Sequence, residues 1–167
     1  MLSTGLLDSW LGMSMSDICT HGYDANNLNH CAHFVSHAMG LTFGCTCTRL
    51  VRSDSPMPGA NVRVHEIFAQ CRDPFELNHS PRDANHLVFV SGERNFSSRP
   101  QRMRNVPRKH IGIGFGGMVW HYSNTRDRVE KQPISAFLRH YRGQRNAVWM
   151  ATAPAGARAR HFGVCLA

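Results

Sequence analysis

The sequence predicts an α+β fold, N-terminal helices packed on an antiparallel β-sheet, from three observations. Apolar residues early in the chain recur at helical spacing, most clearly at Ala32, Phe34, Val35, Ala38 and Met39, with Gly40 where a helix stops. Later, Lys109 to Phe115 and Met118 to Tyr122 carry alternating apolar residues on either side of Gly116-Gly117, the pattern of a tight β-hairpin. Helical segments come first and strands follow, which is an α+β order and not βαβ alternation.

Taken in order, residues 5–17 read as a helix, and the Asn-, Gly- and Asp-rich residues 20–29 as a loop leading into a helix at Cys31. Residues 42–60 are irregular, with Pro56, Pro58 and Gly59. A short helix is expected over 64–71, turns over 72–86 and a strand over 87–90. Residues 92–108 form a long loop of the kind that shapes access to a site. The hairpin 110–122 follows, then a strand over 129–131. Pro133 starts a helix with Ile134, Phe137, Leu138 and Tyr141 on one face, Gly143 ends it, and 147–150 is the last strand. One domain over 1–153 is expected, with an Ala/Arg-rich, mobile tail over 154–167.

Composition narrows the function classes. Hydrophobic content of 42% and a mean hydropathy of −0.34 suit a water-soluble globular chain. No window of ~18 uninterrupted apolar residues exists, so no membrane span is expected. Asp8 and Asp17 interrupt the apolar N-terminal stretch, which also lacks a basic start, so no Sec signal is expected. The net charge of +8 attracts polyanions. Yet Arg94, Arg99, Arg102, Arg104, Arg108 and Lys109 lie in a Ser/Pro/Arg-rich run with few aromatics, which reads as a solvated loop. Nucleic acid is therefore not an expected partner.

The cysteines and histidines bear on metal and disulfide chemistry. Cys45 and Cys47 are too close to bridge each other and lack C-x-x-C spacing. With Cys31 set aside, Cys19, Cys45, Cys47, Cys71 and Cys165 leave an odd number, compatible with one or two disulfides or with none. His30, His33 and His37 fall at helical spacings, and His33 with His37 presents an i, i+4 pair. No Glu follows His33 and no third ligand is near, so no metal and no cofactor is expected.

Cys31 is the candidate nucleophile. A cysteine in the first turn of a helix lies beside unpaired N–H groups and the positive end of the macrodipole, which favours thiolate. The plainer reading is a small buried hydrophobe. His110 opens one strand of the hairpin and His121 lies in the other, so the two become cross-strand neighbours. His110 would take the thiol proton and His121 would orient it, with Asn124 or Asp127 as alternative orienting groups.

The pattern Cys31-Ala32-His33-Phe34-Val35, followed by His110-Ile111-Gly112-Ile113, a turn and His121, resembles the NlpC/P60 superfamily. Those are papain-like cysteine peptidases and amidases that cut peptidoglycan stem peptides. Leu87-Val88-Phe89-Val90 is similar to the family's strand before the catalytic His. The resemblance implies a papain-like fold and a Cys31–His110–His121 triad. It also implies an oxyanion hole that includes the Cys31 N–H, where one donor is typically worth roughly 3 kcal/mol. Tyr23 or Asn29 would add to that site, with Asn27 a further choice. Two departures stand out: His30-Cys31-Ala32-His33-Phe34 replaces the usual Asp-Cys-Ser-Gly-Phe, and the segment before residue 87 is long. The lecithin:retinol acyltransferase-like enzymes carry a closer Asn-Cys-x-His-Phe-Val motif, but there the His precedes the Cys.

The resulting expectation is a monomeric cysteine amidase or endopeptidase acting on a peptidoglycan peptide. Family members lacking a signal and wall-binding repeats include toxins delivered by type VI secretion. That implies an immunity protein as partner, residence in the bacterial cytoplasm before export, and action in a periplasm or cell wall. The alternatives are a thiol acyltransferase or phospholipase on lipid, a deamidase or protease on a protein target, and a non-enzymatic polyanion-binding domain.

Overall fold

The computed structural model describes residues 2–52, 54, 58–77, 86–98 and 101–154. Six α-helices are present among them: Thr4–Asp8 (α1), Met15–Ile18 (α2), Cys31–Met39 (α3), Cys47–Val51 (α4), Val64–Gln70 (α5) and Ile134–Phe137 (α6). The strands are Arg72–Glu76 (β1), His86–Gly92 (β2), Phe96–Ser98 (β3), Gln101–Met103 (β4), Lys109–Phe115 (β5), Met118–Ser123 (β6), Arg128–Pro133 (β7) and Asn146–Thr152 (β8). Six of these strands form one sheet in the order β1-β8-β2-β5-β6-β7, with every pairing antiparallel. The α+β class is therefore as the sequence predicts.

Strand β2 runs through the middle of the sheet and is apolar on both faces. Leu87 and Phe89 join Phe34, Val35, Ile67, Phe68, Ile111 and Trp120 on the face covered by α1, α2, α3 and α5. Val88 and Val90 point the other way and meet Val119, Val148 and Phe137 of α6. The period of two in strands thus assigns alternate residues to two separate cores.

Several elements differ from the sequence reading, each for a physical reason. Residues 5–17 form two short helices, not one. Gly12 turns at φ +83°, and Ser14 restarts the chain through a capping box with Asp17. The irregular stretch 42–60 contains α4. The turn-rich stretch after Cys71 contains β1, an edge strand carrying Pro74 and a register irregularity between Arg72 and Phe75. The long loop 92–108 carries the β3–β4 ribbon, and Phe96 stacks on Trp149 at 5.5 Å. The helix after Pro133 is a single turn, and Pro133 caps it from outside. No described helix is long and apolar enough to cross a membrane. Residues 155–167, and with them most of the expected tail and Cys165, lie outside the described residues.

Candidate active site

Helix α3 begins at Cys31 and ends at Gly40, which adopts a left-handed φ of +66°. Two asparagines hold its first amides. The His30 N–H donates to Asn124 Oδ1 at 2.9 Å, and the Cys31 N–H donates to Asn29 Oδ1 at 3.1 Å. Asn124 Nδ2 in turn donates to Asn29 Oδ1 at 3.1 Å. Asn29 therefore presents an acceptor to the Cys31 amide in this conformation, not the oxyanion donor that the family resemblance suggests. Asn124, an alternative orienting group for the base, serves the helix start instead.

Cys31 is wholly enclosed, and the Ile111 and Ala32 backbone N–H groups face its sulfur. Burial pushes the thiol up to about 12, against the opposing pull of those N–H groups and of Lys109. The sequence expectation of a thiolate-favouring helix tip is thus reversed in this state, because desolvation outweighs the helix field.

His110 and His121 are brought together as the hairpin pattern predicts. His110 Nε2 lies 2.9 Å from His121 Nδ1, with both rings buried. The β5–β6 ladder runs from Ile113 opposite Trp120 to Phe115 opposite Met118. Beyond it the strands part, and Cys31 lies against the backbone of Ile111 just past the last pair. The two imidazoles turn toward the α6 face, where Phe137 packs on both at 5.4 and 5.5 Å. His140 stacks on His110 at 4.2 Å. No hydrogen bond joins the Cys31 thiol to His110 among the described residues. Burial, then the neighbouring His140, holds both imidazoles low, His110 well below the usual value and His121 at about 4. Both rings are therefore neutral at pH 7, which leaves each with one bare nitrogen. Among the described residues, His121 Nε2 is buried without a hydrogen-bond partner. Asp127, the other alternative orienting group, accepts from Tyr122 Oη at 2.7 Å instead.

Tyr23 packs edge-on against His30 and His33, with ring centroids 5.8 and 5.4 Å away. It serves the packing of α3 there. A groove of ≈ 110 Å³ opens beside Asn29, between Val62–Val64 and Val106–Lys109. Arg63, Arg108 and Lys109 make it basic. Lys109 Nζ donates to Asn105 Oδ1 and the Val106 carbonyl, and the Ser91 hydroxyl holds the Arg108 carbonyl at 2.9 Å. Arg108 itself sits at φ +58°, a conformation that a side chain-bearing residue adopts only where its surroundings hold it.

Sequence spacing gave no sign of His140 over His110, because that contact is made only when α6 folds back across the sheet. It also gave no sign of a third and fourth partner for His33 and His37. The structure supplies them from two other elements: Cys19, His33, His37 and Cys47 converge, with their ligand atoms all within 4.8 Å of one another. No protein-family model, curated protein or solved structure matches this chain.

Proposed function

We propose that the chain is a papain-like cysteine hydrolase of NlpC/P60 type that cleaves a peptide amide in peptidoglycan stem peptides. The observation that carries this reading is the His110 Nε2···His121 Nδ1 contact of 2.9 Å. Cys31 rests on the Ile111 backbone, and its attack requires the sulfur and the His110 ring to be brought together when substrate binds. If His110 donates its Nε2 proton to His121, its Nδ1 is a bare base, the tautomer a nucleophilic thiol requires. His121 is then the positioning group and His110 the general base, then the acid for the departing amine. Cys31 attacks the carbonyl, the acyl-enzyme forms as the amine leaves, and water releases the acid. The basic groove beside Asn29 supports an acidic peptide as substrate, since Arg63, Arg108 and Lys109 would meet its carboxylates.

The test is mass spectrometry of purified muropeptides incubated with the wild-type chain, Cys31→Ala and His110→Ala. Wild type is expected to add one water across a stem-peptide amide, and both variants to leave the substrate intact. Intact muropeptides with a folded wild-type chain would overturn the reading, as would turnover that survives Cys31→Ala.

A further inference from the structure

Apart from Cys31, His110 and His121, a second constellation has no role in the proposed chemistry. We propose that Cys19, His33, His37 and Cys47 hold a structural zinc ion that ties the end of α2, the body of α3 and the start of α4 together.

The distances fit such an ion. Cys19 Sγ and Cys47 Sγ are 4.0 Å apart, and His33 Nε2 and His37 Nε2 are 3.1 Å apart. A tetrahedral zinc with ordinary Zn–S and Zn–N lengths calls for edges of about 3.8 and about 3.3 Å. A disulfide would need the two sulfurs at about 2.05 Å. Cys19, His33 and Cys47 are buried and His37 half-buried, so three of the four donors converge where water cannot compensate them.

The hydrogen bonds around the cluster assign the His33 tautomer independently. The Ala25 carbonyl, which only accepts, lies 3.0 Å from His30 Nε2, so that nitrogen carries the proton. Neutral His30 then offers Nδ1 as an acceptor, and His33 Nδ1, 3.3 Å away, is the donor. His33 Nε2 is left as a bare lone pair aimed at the cluster. A carbonyl–imidazole–imidazole relay of this kind is how metal-bound histidines are oriented. Backbone N–H groups point at both sulfurs. The Ala60 N–H donates to Cys47 Sγ at 3.3 Å, and the His21 and Tyr23 N–H groups face the Cys19 sulfur. Such donors stabilise thiolates, and binding expels the two thiol protons as the S–Zn bonds form.

Two thiolates and two imidazoles in tetrahedral array select zinc over magnesium or calcium. All four positions belong to the protein, which marks the ion as structural and not catalytic. The site also makes sense of the small elements around it, since α2 and α4 are single-turn helices that need an anchor.

The test uses the full chain, expressed with zinc in the medium and assayed by elemental analysis and by cobalt replacement. One zinc per chain is expected. Cobalt loading should give the visible and sulfur-to-metal absorption of a tetrahedral thiolate–imidazole site. Cys47→Ser should lose the zinc, whereas Cys45→Ser and Cys71→Ser should keep it. His30→Ala should weaken zinc by roughly 10–100-fold in a competition with a chelator. So that an unfolded Cys47→Ser does not decide the matter, the wild-type chain is also stripped with chelator and titrated with zinc, which should raise its melting temperature. A zinc-free wild type that neither binds cobalt nor responds to added zinc overturns the proposal. So does a Cys19–Cys47 disulfide in the purified chain, another metal in place of zinc, or zinc retained by Cys47→Ser.

Discussion

Acid should unfold this protein through its buried imidazoles, and His121 allows the effect to be sized. Its folded value of about 4, against an ordinary 6.5, means that the unfolded chain takes up a proton the folded chain refuses. The sign follows directly. Stability from this residue is fully present above pH 6.5 and is lost as the pH falls toward 4. With those two values, His121 alone removes about 2 kcal/mol between pH 8 and pH 5, and about 3 kcal/mol once pH is well below 4. Asn is the informative replacement, because its amide can stand where Nδ1 meets His110 yet does not titrate. Urea unfolding followed by tryptophan fluorescence, at pH 8 and pH 5, would compare wild type with His121→Asn. His140 titrates in both proteins, and the Asn amide keeps a partner for His110 Nε2, so the comparison reads the proton taken up at residue 121 together with its coupling to His110. The wild type should lose about 2 kcal/mol more than the variant over that interval. Parallel losses would refute the claim that burial of this pair sets its protonation.

Three other outcomes follow from particular contacts. Gly112→Ala places a methyl group in overlap with the Val119 side chain and 2.8 Å from the Trp120 carbonyl. It should cost about 1–3 kcal/mol in thermal or urea unfolding and lower turnover by prising β5 from β6 beside His110. Tyr122→Phe leaves the buried Met15 amide without the phenol oxygen that accepts from it at 2.9 Å, and leaves Asp127 without its donor. A loss of about 1–3 kcal/mol is expected, read by chemical denaturation. Arg63→Glu with Arg108→Glu reverses charge in the groove beside Asn29. KM for an acidic peptide should rise, and the salt dependence of kcat/KM should flatten, in steady-state assays at two ionic strengths.

What was legible in the sequence is what local pattern encodes. The apolar spacing of 32–39 with Gly40 gives α3 as it stands, and Gly116-Gly117 between alternating runs gives the β5–β6 hairpin with His110 meeting His121. Elements maintained by tertiary contact were not legible. Strand β1 contains Pro74 and survives only because it borders β8, and α4 is a single turn held by the Cys47–Ala60 backbone pair. The Cys19, His33, His37, Cys47 group escaped for a related reason. Its donors come from three elements, and only the i, i+4 histidines share one, so no short motif announces it.

Cys31 shows two local forces in opposition. A helix N-terminus favours a charge by about 0.3–2 kcal/mol. The rise of Cys31 from 9.0 to about 12 corresponds to about 4 kcal/mol against thiolate. Burial therefore wins, and the helix end is weaker still because Asn29 and Asn124 already occupy the first amides. In the amidase reading, the free enzyme then holds a neutral thiol on the α3 side of β5 and a neutral imidazole turned to the α6 face, not a preformed ion pair. Proton transfer from Cys31 must accompany carbonyl attack, when negative charge appears on the substrate oxygen. Freeing the Cys31 N–H from Asn29 would supply a donor to that oxygen at the same moment. Asn29 lines the basic groove, so a peptide entering there meets the one side chain whose displacement uncovers the oxyanion donor.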